Sequence, residues 1–346
     1  MRQPIASLSL DLDNKWSYMK THGDQGWEAF PSYLDAVVPR FLEVLQSIEL
    51  RMTVFVVGQD AALEENRAAL ASIPTAGHEI GNHSFHHEPW LHLYSDAQLR
   101  AELSAAEDAI EDATGVRTTG FRGPGFSVSP AVIAELVRRG YQYDASTLPT
   151  FLGPVARWYY FRTAKLDAEE AARRRRLFGR WRDGWQPIRP YRWQLTPSPG
   201  AAPGDEFATG QLIEIPVTTT PIFKTPFHVS YLLYLRQYSN ALAWSYWRTA
   251  MVLCRVRGVA PSLLLHPLDF LSGEDEPSLS FFPAMQLGAR EKVAFVRDLL
   301  ADFAQRFEVR PMGEHASAVA GASRLPVRTI EAPAVSRVES PVLEAV

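Results

Sequence analysis

Short apolar runs alternate with stretches of helical periodicity from the first residues of the chain onward, and this alternation restricts the fold more than any other feature. "IASLSLDLD" reads as a strand, and "SYLDAVVPRFLEVLQSIEL" as a helix with apolar residues recurring at three and four. "MTVFVVG" is a second strand closed by Gly58, and "AALEENRAALASI" a second helix leading to "HEIGNHS". "SDAQLRAELSAAEDAIEDATG" carries a Ser95 cap and a Gly115 stop, and "SPAVIAELVRRG" a Ser129 cap with Pro130 in its first position. "TTGFRGPGF" and "YQYDAST" supply the strands on either side of that helix. Repeated βα units pack as a parallel sheet covered by helices. The 346 residues suit one large unit of this kind, an α/β fold built as a distorted (β/α) barrel of about seven parallel strands.

The pattern breaks twice. From about 148 to 210 the chain is dense in arginine and tryptophan, with the one charge run "ARRRR", and then passes into the turn-rich "TPSPGAAPGDEFATG"; this reads as an insertion into the barrel. Alternation returns with "LIEIPVTTT", a long helix near 229–257, the strand "PSLLLHPLDF" and a final helix over about 286–307. Past residue 312 the sequence is small, punctuated by proline and without sustained period, so the barrel is expected over 1–312 and a disordered tail over 313–346.

Composition removes several classes of function. A formal net charge of −4 gives no global basic field, and no nucleic-acid partner is expected. The single cysteine, Cys254, cannot form an intramolecular disulfide and reads as a buried structural thiol. No run of about 18 apolar residues is present, so no transmembrane helix is expected. The first residues lack the apolar core of a signal peptide, which leads us to expect a cytoplasmic protein.

Chemistry concentrates in "GHEIGNHSFHHEPW", where four of the nine histidines fall within ten positions. His83 and His87, four apart, would give two nitrogen ligands to a metal if the stretch between them turns, with His86 as the rival second ligand at spacing three. The third ligand would come from "LDLD", where alternation places Asp11 and Asp13 on one face of the first strand. Two like charges there are costly without a cation; one carboxylate could bind metal while the other acts as a base.

The set "SLDLD", "HSFHH", "RGPG", "YDAS" and "LLLHP", in that order and spacing, resembles the polysaccharide deacetylase family, also called the NodB-homology or carbohydrate esterase 4 family, over roughly residues 5–310. The resemblance implies a NodB-type barrel and a divalent metal, Zn first with Co, Ni or Mn as alternatives, held by Asp13, His83 and His87. It implies Asp11 as catalytic base, in a "DxD" variant of the commoner adjacent pair. Arg122 would orient Asp11 and lower its pKa, and His266 would be the catalytic acid. A backbone N–H near Gly125 and Phe126 would hold the oxyanion, although Gly125 stands where the family usually has an aromatic residue. Asp269 or Asp144 would hydrogen-bond the His266 ring. The family's pocket tryptophan after its "YDAS" aspartate has no counterpart before Trp158, so Trp16 or the insertion is expected to supply that wall, with Asp144 also facing the substrate.

The function that follows is hydrolysis of an N-acyl group, foremost N-acetyl, from an amino sugar or saccharide. A second reading is a deformylase or deacylase of a polyprenyl-phosphate-linked amino sugar, to which "LIEIPVTTTPIF" is similar. The Arg/Trp-rich stretch of about 155–195 would then meet the membrane surface peripherally, the alternative being a solvated helix with its aromatics folded onto the barrel. A third reading is a barrel that binds saccharide without turnover.

Overall fold

The computed structural model describes residues 3–154, 181–197, 210–321 and 325–332. Its strands in chain order are β1 Ile5–Asp11, β2 Thr53–Val56, β3 Glu79–Asn82, β4 Gly120–Phe121, β5 Tyr143–Asp144, β6 Tyr191–Pro197, β7 Gln211–Glu214, β8 Ser262–Leu265, β9 Glu308–Arg310 and β10 Val327–Ala332. The helices are α1 Lys15–His22, α2 Leu34–Ser47, α3 Gly58–Ala61, α4 Glu64–Thr75, α5 Asp96–Thr114, α6 Pro130–Arg138, α7 Val229–Arg236, α8 Asn240–Val256, α9 Ala289–Arg306 and α10 Met312–Ala320.

Seven strands run parallel in the order β7-β5-β4-β3-β2-β1-β8. Past β7 the chain reaches the far edge: Thr218 N–H donates to the Ser262 carbonyl at 3.1 Å, and Ser262 N–H donates to Thr218 Oγ1 at 2.8 Å. These two bonds join the ends of the parallel order into a distorted barrel.

β1 is buried on both faces after its first residue, as a central parallel strand must be. Ala6, Leu8 and Leu10 point outward into the main apolar cluster, against Phe41 of α2, Trp247 of α8 and Leu299 of α9. Ser7, Ser9 and Asp11 alternate onto the inner face. There Ser7 Oγ lies 3.1 Å from His315 Nδ1, and Ser9 and Asp11 both meet Arg122. A polar interior thus runs along the strand that carries the first acid.

Three sequence expectations are corrected. Residues 313–321 and 325–332 do not form an irregular tail: α10 buries Met312 and Ala316 against Tyr143, Ile213 and Phe55, with His315 buried beside Ser7, and β10 pairs with β6 over six residues. The apolar period of α10 is too short to register as a helix in sequence; residues 333–346 lie outside the described residues. The long helix near 229–257 is two helices, α7 and α8, because the Ser239 hydroxyl accepts from Leu242 N–H and starts a new helix. The insertion also extends the sheet, since β6 joins antiparallel to β7 and buries Tyr191, Trp193 and Leu195.

Of the stretch proposed for membrane contact, 155–180 lies outside the described residues, while Trp181 and Trp185 are 62% and 75% exposed. No helix among the described residues is long and apolar enough to cross a membrane.

Candidate metal centre and active site

The histidine-rich loop leaves the end of β3 and is tied down before its side chains matter. His83 N–H donates to the Val56 carbonyl at 2.9 Å, and Gly58 N–H donates to the Ser84 carbonyl at 2.8 Å. A Cβ at Gly58 would lie 2.7 Å from Phe85 and 2.8 Å from the Ala106 backbone, so the close approach of the start of α3 to both the loop and α5 requires glycine there. Ser84 and His87 adopt left-handed backbone with φ of 62° and 53°, and these two bends turn both rings to the same side.

Glu102, buried on α5, holds the turn between them. Its Oε1 accepts from Phe85 N–H at 2.9 Å and His86 N–H at 2.8 Å, and its Oε2 lies 2.6 Å from His86 Nδ1. His86 is thereby held on the α5 side of the loop, with a side chain 57% exposed. His78, at the opposite end of β3, accepts the Met52 N–H through Nδ1. Burial, aided by the charge of Arg51, pushes His78 down to about 4, so it stays neutral.

His83 Nε2 and His87 Nε2 lie 3.4 and 3.0 Å from Asp13 Oδ1, and one donor atom from each of the three residues falls within 4.8 Å of the others. Ligands bonded at ~2.1 Å in a tetrahedron stand roughly 3.4 Å apart, close to the separations found. Asp13 Oδ1 is buried and has no hydrogen-bond partner, the mark of an oxygen waiting for a cation. His83 Nδ1 lies 2.6 Å from the Arg122 carbonyl, so it donates there and keeps Nε2 as a lone pair. Burial opposes the Asp13 charge, but His87 and His83 outweigh it and hold the carboxyl well below the usual carboxylate range. The residues fit a divalent ion with an open coordination position. Among the described residues this is the cluster that could hold one.

Beside it, Arg122 is fully buried. Its Nη1 donates to Asp11 Oδ1 at 2.6 Å and Ser9 Oγ at 3.0 Å, its Nε to the Ala145 carbonyl at 3.0 Å, and the guanidinium stacks over Phe55 at 4.4 Å. The turn after it places Gly125 and Phe126 in left-handed backbone at 58° and 59°. Phe126 N–H and Ser127 N–H close onto the Gly123 and Pro124 carbonyls, while Gly125 is exposed.

His266 follows β8 and is the one residue of 261–272 that is not buried. Its side chain accepts the backbone N–H of Asp269, one of the two candidates from the sequence. Nδ1 lies 3.1 Å from Ser230 Oγ, whereas Asp269 Oδ2 accepts the backbone N–H of His266 at 2.9 Å. Asp144 is fully buried, takes the Ser146 hydroxyl and meets Glu214 carboxyl to carboxyl, so it neither faces a substrate nor holds the His266 ring. Trp16 is also corrected: it is 1% exposed, donates Nε1–H to Asp60 at 2.8 Å and packs edge-on behind His87 at 6.3 Å, as a prop and not a wall.

Sequence reasoning missed Ser230 and His228, which open α7 next to His266. The His228 ring meets that of His266 at 5.5 Å, and both of its nitrogens are buried without a partner. Burial, with the charges of His266 and Arg122, pushes it well below its ordinary value. Nothing in "PFHVSYLL" marks either residue apart from a helix start.

Residues 23–143 match the family model "Polysaccharide deacetylase". A peptidoglycan deacetylase of Helicobacter pylori is 29% identical over 168 residues, which cover 46% of this chain and 54% of that one. The peptidoglycan-N-acetylmuramic acid deacetylase PdaA of Bacillus subtilis is 32% identical over 111 residues, 32% of this chain and 41% of its own. The chain therefore matches about half the length of these relatives, or less. A Mycobacterium smegmatis crystal structure assigned as a polysaccharide deacetylase shares the fold across 96% of both chains, with a TM-score of 0.60 and 20% identity. Residues 23–143 thus match the polysaccharide deacetylase family, as the sequence motifs led us to expect, and the α/β fold around them is shared with the Mycobacterium smegmatis structure.

Proposed function

We propose that the chain is a metal-dependent amide hydrolase that removes an N-acyl group, foremost N-acetyl, from an amino sugar within a saccharide. The observation that carries this reading is the cluster of Asp13, His83 and His87 next to an acid, Asp11, that Arg122 grips from inside the barrel. Asp13, His83 and His87 would hold a divalent ion, which when bound would supply a water of lowered pKa and polarise the acyl carbonyl.

The remaining work falls to side chains. Arg122 engages Oδ1 of Asp11, which leaves Oδ2 to take the proton of the attacking water. The Gly125 N–H, in a turn whose two following amides are already bonded, donates to the acyl oxygen as its charge develops. His266 protonates the departing nitrogen, which is otherwise a very poor leaving group. The half-exposed Phe126 lies at the rim of this turn and packs against the sugar.

The test combines metal analysis with acetate release from N-acetylated peptidoglycan and chitin oligosaccharides. Activity is expected to vanish with chelator and return with Zn, Co, Ni or Mn, and Asp13→Ala is expected to lose the metal. A protein that holds no divalent ion and whose activity ignores chelators would overturn the reading.

A further inference from the structure

The two histidines of the cluster are held in different ways. His83 donates its Nδ1–H to the Arg122 carbonyl at 2.6 Å, whereas among the described residues the His87 ring makes no polar contact besides that of Nε2 with Asp13. A metal-ligating histidine is ordinarily oriented by a hydrogen bond from its other ring nitrogen. For His87 that task falls to packing, and its backbone sits in the left-handed region at φ 53°. Its ring neighbours are His83, at 5.0 Å between centroids, and Trp16, which meets it edge-on at 6.3 Å.

Trp16 is fixed by an acid that the proposed chemistry does not use. Asp60, on α3 and 1% exposed, accepts the Trp16 Nε1–H at 2.8 Å and the Asn14 Nδ2–H at 2.7 Å, both through Oδ1. Asn14 also donates to Ser32 Oγ at 2.9 Å, Ser32 donates to Asn66 Oδ1 at 2.7 Å, and Asn66 donates to the Asp60 carbonyl at 3.1 Å. These bonds close a ring that joins the residue after Asp13 to the segment before α2 and to α3 and α4, so Asp60 cannot shift alone. Its second oxygen is buried with no partner, and the carboxyl acts through Oδ1 only.

We infer that Asp60 is a positioning residue for the metal ligand His87, acting through Trp16. By accepting the indole N–H it sets the Trp16 ring, and the edge of that ring holds the imidazole with Nε2 3.0 Å from Asp13 Oδ1. The role requires an acceptor at Oδ1 and not a charge, and no covalent bond is made or broken. An apolar side chain in place of Asp60 would leave the indole N–H and the Asn14 amide N–H buried without that acceptor. Lys20, over the Trp16 ring at 5.7 Å and ion-paired with Glu88, is no substitute, because an ammonium group accepts nothing.

The inference rests on the proposed function only in taking Asp13, His83 and His87 as metal ligands, and its test reads those ligands without turnover. In the full chain, Zn affinity is measured by competition with a chromogenic chelator, and ligand geometry by the visible spectrum of the Co-loaded protein, with urea melts to establish folding. Asp60→Ala should weaken Zn binding by about 10-fold and change the Co spectrum. Asp60→Asn keeps the acceptor and should keep both. Trp16→Phe removes the indole N–H with Asp60 in place and should weaken binding to a similar extent, which answers the question even where Asp60→Ala does not fold. Wild-type affinity and spectrum in a folded Asp60→Ala or in Trp16→Phe, or an Asp60→Asn that behaves like Asp60→Ala, overturns the inference. A wild type that binds Zn but releases no acetate refutes the proposed deacetylation and leaves the inference standing; one that binds no divalent ion overturns both.

Discussion

Arg122 Nη1 lies 2.6 Å from Asp11 Oδ1 with both side chains almost wholly removed from solvent. The pair links the end of β1 to the residue that follows β4, 111 positions apart. Arg122→Ala leaves a buried carboxylate alone, which typically costs about 3–5 kcal/mol, and should abolish activity. Arg122→Lys keeps the charge but cannot reach Ser9, Asp11 and Ala145 together from one point charge. It should fold with reduced stability and show a kcat below the wild type's, as denaturant melts and acetate release would reveal.

Glu102 touches none of Asp13, His83 and His87, yet its carboxylate gathers Phe85 N–H, His86 N–H and the His86 ring. Glu102→Ala should loosen the turn that aims His83 and His87. The expected outcome is metal affinity weaker by about 10- to 100-fold, measured by competition with a chromogenic chelator, while His86→Ala leaves affinity close to wild type.

Asp144 and Glu214 face each other in a dry interior, and burial pushes both carboxyls up; their mutual repulsion raises Glu214 further. A raised acid binds its proton more tightly folded than unfolded. Stability from this pair is therefore present at low pH and declines as pH rises through the carboxylate range. Asp144→Asn should flatten that decline in melting curves recorded from pH 4 to pH 7, and should leave KM unchanged because Asp144 does not meet the substrate.

Lys292 behaves in the opposite sense. Burial pushes its ammonium down to about 8, although Asp269 and Asp275 partly hold it up. Between that value and the ordinary lysine value the unfolded chain binds more protons, so this group's contribution grows as pH rises through the window. The wild type should gain on Lys292→Met between pH 8 and pH 10 by on the order of 2 kcal/mol, read from urea melts at each pH.

Much of this was legible because candidate ligands and capping residues sit in local patterns. "LDLD" and "HSFHH" place three donors by alternation and by one tight turn, and Ser95 and Gly115 bound their helix as expected. What failed depends on distant neighbours. Whether Trp16 faces a pocket or Asp60 is settled by a residue 44 positions away, and whether Asp144 sees solvent is settled by Glu214 on another strand. Ser230 escaped notice for the same reason, since its meaning lies entirely in the ring it touches. The tail failed because Met312, His315 and Ala316 repeat their apolar spacing for only one turn.

That short helix has a kinetic consequence. Met312 Sδ caps the guanidinium of Arg122 at 3.5 Å across 190 residues, and Met312 N–H is bonded to Thr53 Oγ1 across 259. Contacts of such separation close late, because the loop entropy must be met before they form. The motif-bearing strands can assemble early, but the floor beneath Arg122 is laid last. During refolding, stable metal uptake should therefore lag behind the formation of helix and sheet.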